Sequence, residues 1–364
     1  MEGTQYRCPC CASPLVFDGK SQEMTCHSCG NTLAVEGLEE ASKVNVENTT
    51  DEQMHWEIPE AQEYDQAESQ HLRAYHCQTC GAEIVADDVT AATECIYCGN
   101  PTILPGVLAG AYRPDGVLPF KTTKKEAQEA FRNHCKSKKL LPSGFYDDSR
   151  LEKITGVYVP FWLFQCEAEA DMTYKATRVS VSRQGQYEIT RTSHFLLRRG
   201  GHVRFKEVPV DGSSKMDDAM MESIEPFDAQ ESKDFSIPYL SGYQAQRHDV
   251  GAQACQGRAN ERIRNSVKSL MDGTVMGYTT AVPVNTQIEM EHGKVKQVLM
   301  PVWMLNTRWK DQMFTFAMNG QTGRFIGDLP TDKGKFWKWL LGLFGGISLG
   351  GYGVALLLAI VGVL

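Results

Sequence analysis

The stretch "HCQTCGAEIVADDVTAATECIYCG" (residues 76–99) sets four cysteines in two Cys-x-x-Cys pairs and holds neither lysine nor arginine. The pairs are Cys77/Cys80 and Cys95/Cys98, with 14 residues between them. The same arrangement stands earlier in the chain, where Cys8 and Cys11 are followed, 14 residues on, by Cys26 and Cys29. This internal repeat lies close to the zinc template of two such pairs roughly 15–20 residues apart. Zinc favours four soft thiolates in a tetrahedron, and each short pair supplies one edge of it. Gly30, Gly81 and Gly99 each follow a pair and tolerate the positive φ of a tight turn around a metal, whereas Ala12 stands in the fourth place. The spacer "PLVFDGKSQEMT" reads as a hairpin turning at Asp18-Gly19. Units this small lack a core of their own, and a structural zinc ion contributes on the order of 10 kcal/mol to folding them. Two structural zinc ions are therefore expected, each closed by four thiolates and leaving no open position for catalysis. Cys10 is a bystander, and Cys135, Cys166 and Cys255 read as isolated buried thiols.

Charge separates the ends of the chain. The 364 residues carry a formal net charge of −8, but residues 1–100 hold 18 acidic against 4 basic side chains. Residues 101–364 hold 27 acidic against 33 basic. Phosphate contacts need clustered cations, so the acidic cysteine modules argue against nucleic acid and for protein partners. The start, "MEGTQYRCPC", shows no apolar run behind a basic segment, which points to a cytosolic body with reduced, metal-binding cysteines. Gly19-Lys20-Ser21 imitates the end of a phosphate loop, but position 14 is proline where the motif needs glycine.

Beyond the first module, residues 36–73 carry eleven acidic side chains and read as an acidic linker, with Trp56 as a candidate anchor for a partner. Residues 122–139 have helical composition with Thr122 or Thr123 as N-cap, and "SSKMDDAMMESIEPF" and "DVGAQACQGRANERIRNSVKSLM" read as two further helices. The segments "GVYVPFWLF" (156–164) and "QVLMPVWML" (297–305) share Val, Pro and Trp in register. They suggest two related α+β units with antiparallel sheets, Pro160 and Pro301 at a strand start, edge or bulge, and Trp162 and Trp303 in the core. The scattered histidines form no metal or catalytic pattern, and the chain reads as a non-enzyme with no catalytic residue.

The last 26 residues, from Trp339, carry no charge. As a helix at ~1.5 Å per residue they span roughly 39 Å, long enough for a bilayer core. Lys333, Lys335 and Lys338 precede them, so the expectation is a tail-anchored, single-pass protein of the cell membrane with its body in the cytoplasm. Gly342, Gly346 and Gly350 recur every four residues and suit helix–helix oligomerisation.

The expected fold class is thus α+β, with two four-cysteine zinc ribbons, a duplicated α+β domain with antiparallel sheets and one C-terminal transmembrane helix. The domains read as ribbon 1 (1–35), acidic linker (36–73), ribbon 2 (74–104), duplicated domain (105–330), basic juxtamembrane segment (331–338) and transmembrane helix (339–364). The stretches "CPCC…CHSCG", "CQTCGAEIVAD…CIYCGNPT", "GVYVPFWLF", "PVDGSSKMDDAMMESIEPF" and "FAMNGQTGRFIGDLPTDKGKFWKW" carry a resemblance over nearly the whole length. The chain resembles bacterial membrane-anchored proteins with two zinc ribbons of the transcription-factor-IIB type, often misnamed after the primosomal replication-restart helicase. That resemblance implies zinc in both cysteine sets. It also implies partners among phage-shock-protein-A-like and SPFH/flotillin-related proteins, and a role in envelope stress. The expected function is a membrane adaptor whose ribbons and α+β domain recruit protein partners; the alternative is a zinc-ribbon nucleic-acid-binding protein.

Overall fold

The computed structural model describes residues 15–19, 22–25, 32–34, 56–60, 62–87, 95–100, 103–106, 112–145, 147–310 and 312–360. Strands β1 (Val16–Asp18), β2 (Glu23–Thr25) and β3 (Thr32–Ala34) make a small antiparallel sheet. They are followed by β4 (Trp56–Glu57), α1 (Gln66–Gln70), β5 (Leu72–Cys77), β6 (Glu83–Asp87), β7 (Ile103–Gly106) and β8 (Gly116–Val117). Next come α2 (Lys124–Lys136), α3 (Asp148–Leu151), β9 (Thr155–Gln184), β10 (Tyr187–Asp211), α4 (Asp218–Ser223), β11 (Lys233–Asp234) and β12 (Gln244–Gln246). The chain ends with α5 (Ala252–Gly273), β13 (Thr280–Trp309), β14 (Gln312–Asn319), β15 (Phe325–Gly327) and α6 (Lys333–Ile360). The large sheet runs β11-β8-β13-β9-β12-β6-β5-β7, with β10 on β9, β14 and β4 on β13, and β15 on β14.

This sheet corrects the expected antiparallel architecture. It is mixed: β12 runs parallel to β9, and β8 and β4 run parallel to β13. The chain divides into two compact units that interleave in sequence rather than follow one another. One comprises Met1–Ile58, Leu163–Val210 and Gln253–Val295, and the other Pro59–Trp162, Asp211–Ala252 and Lys296–Leu364. The two Pro-Trp segments therefore do not head two successive domains. "GVYVPFWLF" opens the 30-residue β9, and "QVLMPVWML" lies towards the end of the 30-residue β13. Pro160 and Pro301 lie within those strands rather than at their starts. The likeness survives locally: Gly212 donates its N–H to the Pro160 carbonyl, and Gly320 to the Pro301 carbonyl, both at 2.8 Å. Trp162 and Trp303 are both buried, and their indole N–H groups reach the Val250 carbonyl and the Thr122 hydroxyl, each at 2.9 Å.

In the first unit, α5 buries a residue every four positions: Cys255, Ala259, Ile263, Val267 and Met271 make one apolar stripe. The facing side of β9 alternates buried Cys166, Ala168, Ala170, Met172, Tyr174 and Ala176, as a strand of period two must. Fully burying each of the larger side chains is worth about 1.5–3 kcal/mol. The other side of β9 carries Glu167, Glu169 and Asp171, which meet Arg204, His202 and Arg198 of β10 at 2.6, 3.6 and 2.5 Å. Trp56, the candidate anchor for a partner, is an internal anchor. It is only 4% exposed, packs edge-on against Phe164 at 4.9 Å and donates to Asn260 Oδ1 at 3.0 Å. Met54 and His55 lie outside the described residues. The hairpin of residues 16–25 forms, but Gln22 rather than Gly19 takes the positive φ (57°) and closes the turn onto the Asp18 carbonyl at 2.9 Å.

In the second unit, Thr123 caps α2, its hydroxyl accepting from Glu126 N while the Glu126 carboxylate accepts from Thr123 N. One turn apart, Ala127, Phe131 and Cys135 are buried against Trp303, Leu305 and Phe316, with the Phe131 and Phe316 rings 4.8 Å apart.

The C-terminal segment requires a correction. Among the described residues no helix is long and apolar enough to cross a membrane, which overturns the expected transmembrane helix. The tail-anchored, single-pass placement in the cell membrane, with the body fixed in the cytoplasm, loses its basis with that span. The physical reason is composition: residues 333–353 of α6 include three lysines and seven glycines. Its start also docks within the second unit. Lys335 Nζ donates to the Leu141 carbonyl at 2.7 Å, and Lys139 lies 4.8 Å over the Trp339 ring. Nothing lies within 4 Å of the places a Cβ would take at Gly342, Gly346 and Gly350.

The glycines supply a stability test. A Cβ on Gly320 would lie 2.6 Å from a Phe120 ring carbon and 2.8 Å from Pro301 Cβ, whereas one on Gly257, inside α5, meets nothing within 4 Å. Urea unfolding should show Gly320→Ala destabilising by about 1–3 kcal/mol through overpacking. Gly257→Ala should stabilise by about 0.5–1 kcal/mol, because glycine is the costlier residue inside a helix.

Candidate metal centre

Two turns with the same internal bonding build the centre. In the first, following β5, Gly81 N donates to the Cys77 carbonyl at 2.8 Å and Cys77 N to the Ala82 carbonyl at 2.9 Å. In the second, preceding β7, Gly99 N donates to the Cys95 carbonyl and Cys95 N to the Asn100 carbonyl, both at 2.8 Å. Each turn needs a residue with positive φ after its second cysteine, and Gly81 (72°) and Gly99 (66°) meet that need.

The turns bring four sulfur atoms together. The Sγ atoms of Cys77, Cys80, Cys95 and Cys98 all lie within 4.8 Å of one another and could hold a metal ion. Cys77 and Cys98 are 3.7 Å apart, and Cys80 and Cys95 are 3.6 Å apart. A tetrahedron with metal–sulfur bonds of about 2.3 Å has edges of about 3.8 Å, so the spacing suits zinc. The thiols differ in their environments. Burial pushes the Cys77 thiol up, but hydrogen bonds from the Cys80 and Thr79 backbone and from the Cys98 and Cys80 thiols outweigh it, lowering it to about 7. Burial raises Cys80 and Cys95. Four sulfurs this close repel one another once ionised, and a divalent cation removes that penalty.

A second layer, invisible in the cysteine spacing, fixes the turn at residues 95–100. The Tyr97 hydroxyl donates to Gln246 Oε1 at 2.6 Å, and the Gln246 amide reaches the Ser213 hydroxyl. Asn306 Nδ2 donates to the carbonyls of Ile96 and Tyr97, while the Thr315 hydroxyl donates to Asn306 Oδ1 at 2.6 Å. Burial drives the Tyr97 phenol well above its ordinary range, so it remains a neutral donor. The sheet adds its own restraint: β6 pairs with β5 on one side and β12 on the other, and Arg247 beyond β12 bridges to Glu83 at 2.7 Å. These partners lie up to 210 residues away in sequence, and no local motif announces them.

Cys8, Cys11, Cys26 and Cys29 lie outside the described residues. Cys135, Cys166 and Cys255 are buried and separate from the cluster, as expected, and burial pushes the first two up to about 11.

The chain is 35% identical over 344 residues to the uncharacterized protein YdjG of Bacillus subtilis (strain 168), covering 94% of this chain and 95% of that one. No family model and no solved structure matches it.

Because β12 and Asn306 support this module from outside, metal loss should loosen it locally rather than detach it. Converting Cys77 and Cys80 to Ser should lower the metal content by one ion per chain. Hydrogen exchange should accelerate in the two cysteine turns while the amides of β12 stay protected. Equal acceleration in β12 would show that the sheet depends on the metal.

Proposed function

This chain belongs to the family of the Bacillus subtilis protein YdjG, and we propose that it is a zinc-ribbon adaptor that holds protein partners rather than nucleic acid or a reacting substrate. Both cysteine sets would bind zinc, as the resemblance to proteins with two ribbons of the transcription-factor-IIB type implies. The observation that carries this reading is the cation-free second module, residues 74–100, whose four thiols point at one another. A module without Lys or Arg offers nothing to a phosphate backbone. Four thiolates also close the zinc coordination shell, so the ion serves folding and not catalysis. Phage-shock-protein-A-like and SPFH/flotillin-related proteins are the partners the resemblance suggests.

Metal analysis of the reduced full chain, purified without chelator, should give close to two zinc ions. The full chain should show no duplex DNA binding at physiological salt. Cross-linking in cells, followed by mass spectrometry, should return specific protein partners. Sub-micromolar, sequence-dependent DNA binding would sink the adaptor reading.

A further inference from the structure

A cleft of ≈ 1130 Å³ lies beside the second cysteine module, wholly within the second unit. Its walls come from the Cys95–Asn100 turn, the stretch from Ser149 to Thr155, and the end of β13 with Met313. We propose that this cleft binds an extended, acidic segment of a protein partner, a proposal that rests on the adaptor reading above.

The first observation is a buried acceptor without a donor. Gln244, on β12, is 7% exposed and lines the cleft, yet its Oε1 receives no hydrogen bond among the described residues. Leaving such a group unsatisfied costs roughly 1–3 kcal/mol, and an incoming N–H would remove that cost. A peptide backbone offers N–H groups at every second position along one edge.

The second observation is charge. Arg150, Lys153 and Arg308 line the cleft against one acid, Glu152. Arg308 is exposed, and its guanidinium has no ion pair or hydrogen bond among the described residues. Arg150 is fixed in place: its Nη1 donates to the Gly144 and Phe145 carbonyls at 3.1 and 2.7 Å, and it stacks over Trp309 at 4.9 Å. A cation held this way loses little side-chain freedom when a carboxylate arrives. Carboxylates therefore belong on the wall of Arg150, Lys153 and Arg308, with peptide N–H groups towards Gln244.

The third observation separates peptide from phosphate. Phosphate cradles use free backbone N–H groups, but those of Cys95 and Gly99 are committed to the Asn100 and Cys95 carbonyls. Met304, Met313 and Ile96 add adaptable apolar lining, suited to alternate side chains of an extended peptide. The volume exceeds the usual 300–1,000 Å³ or so of small-molecule sites.

Fluorescence anisotropy of a labelled peptide of alternating Glu and Val, titrated with the zinc-loaded full chain, tests this. Saturable binding is expected, weakened about tenfold by Arg308→Glu and several-fold by Gln244→Leu, with circular dichroism and zinc content unchanged. The surface position of Arg308 keeps that variant folded. Three results would overturn the proposal: no saturable binding, equal binding of the peptide with Gln in place of Glu, or unchanged affinity in Arg308→Glu. Displacement by tripolyphosphate as potent as by unlabelled peptide would reassign the cleft to phosphate and also overturn it. The adaptor reading stands or falls separately. If Arg308→Glu still cross-links to the parent chain's partners, the cleft proposal fails and the adaptor survives. If the peptide binds but the parent chain captures no protein, the adaptor reading fails alone.

Discussion

The second unit depends on three residues. Strand β12, Gln244–Gln246, pairs in parallel with Val157 and Tyr158 of β9 and antiparallel with Ile84–Ala86 of β6. This one short strand carries the sheet from the long β9 to the strands that present the cysteines. All three of its residues are buried, and its two glutamines must therefore find polar partners. Gln246 finds Tyr97 and Ser213, tying the metal turn to the loop after β10. Gln244 leaves its carbonyl oxygen without a donor among the described residues. The strand that supports the candidate metal centre thus also contributes to the lining of its neighbouring cleft.

The electrostatics divide along the same line. The cysteine module is bare of cations of its own; Arg247 bridges to its Glu83, and Arg150, Lys153 and Arg308 stand on other elements that line the cleft. A metal ion held by these four sulfurs would stabilise the turns and leave no open coordination position. Beside such a centre, Arg150, Lys153 and Arg308 line the cleft together with the buried Gln244 side chain. That set suits carboxylates and N–H donors, which are what polypeptide chains offer. Lys335, in the first turn of α6, and Lys139 illustrate the opposite case. Lys335 is taken up by the Leu141 carbonyl and the Ser143 hydroxyl, and Lys139 by the face of Trp339, so cations that looked available in sequence are engaged within the fold.

Several features were legible residue by residue. The cysteine spacing located one complete four-sulfur cluster, and Gly81 and Gly99 take the positive φ that their places after the pairs require. Thr122 or Thr123 marked the start of α2, where Thr123 is the cap, and the stretches that hold α4 and α5 read as helices. The sheet was not legible. β9 and β13 are long enough to serve both units, and the alternation that identifies a strand says nothing about its neighbours. Trp56 looked like bait for a partner because its surroundings in sequence are polar; its true environment, Phe164 and Asn260, lies more than 100 residues away.

By itself, then, the sequence determined what depends on contacts within a few residues: metal-ligand pairs, helix caps, amphipathic stripes and the balance of charge along the chain. Those interactions are set by backbone geometry and need no distant partner. Tertiary structure decided the register of β12 between β9 and β6, the support of the metal turn by Gln246 and Asn306, the fate of the C-terminal lysines and the cleft. Each joins segments tens to hundreds of residues apart. Many pairings compete for the same strand edges, and only the summed burial of the assembled sheet offsets the entropy of closing such loops.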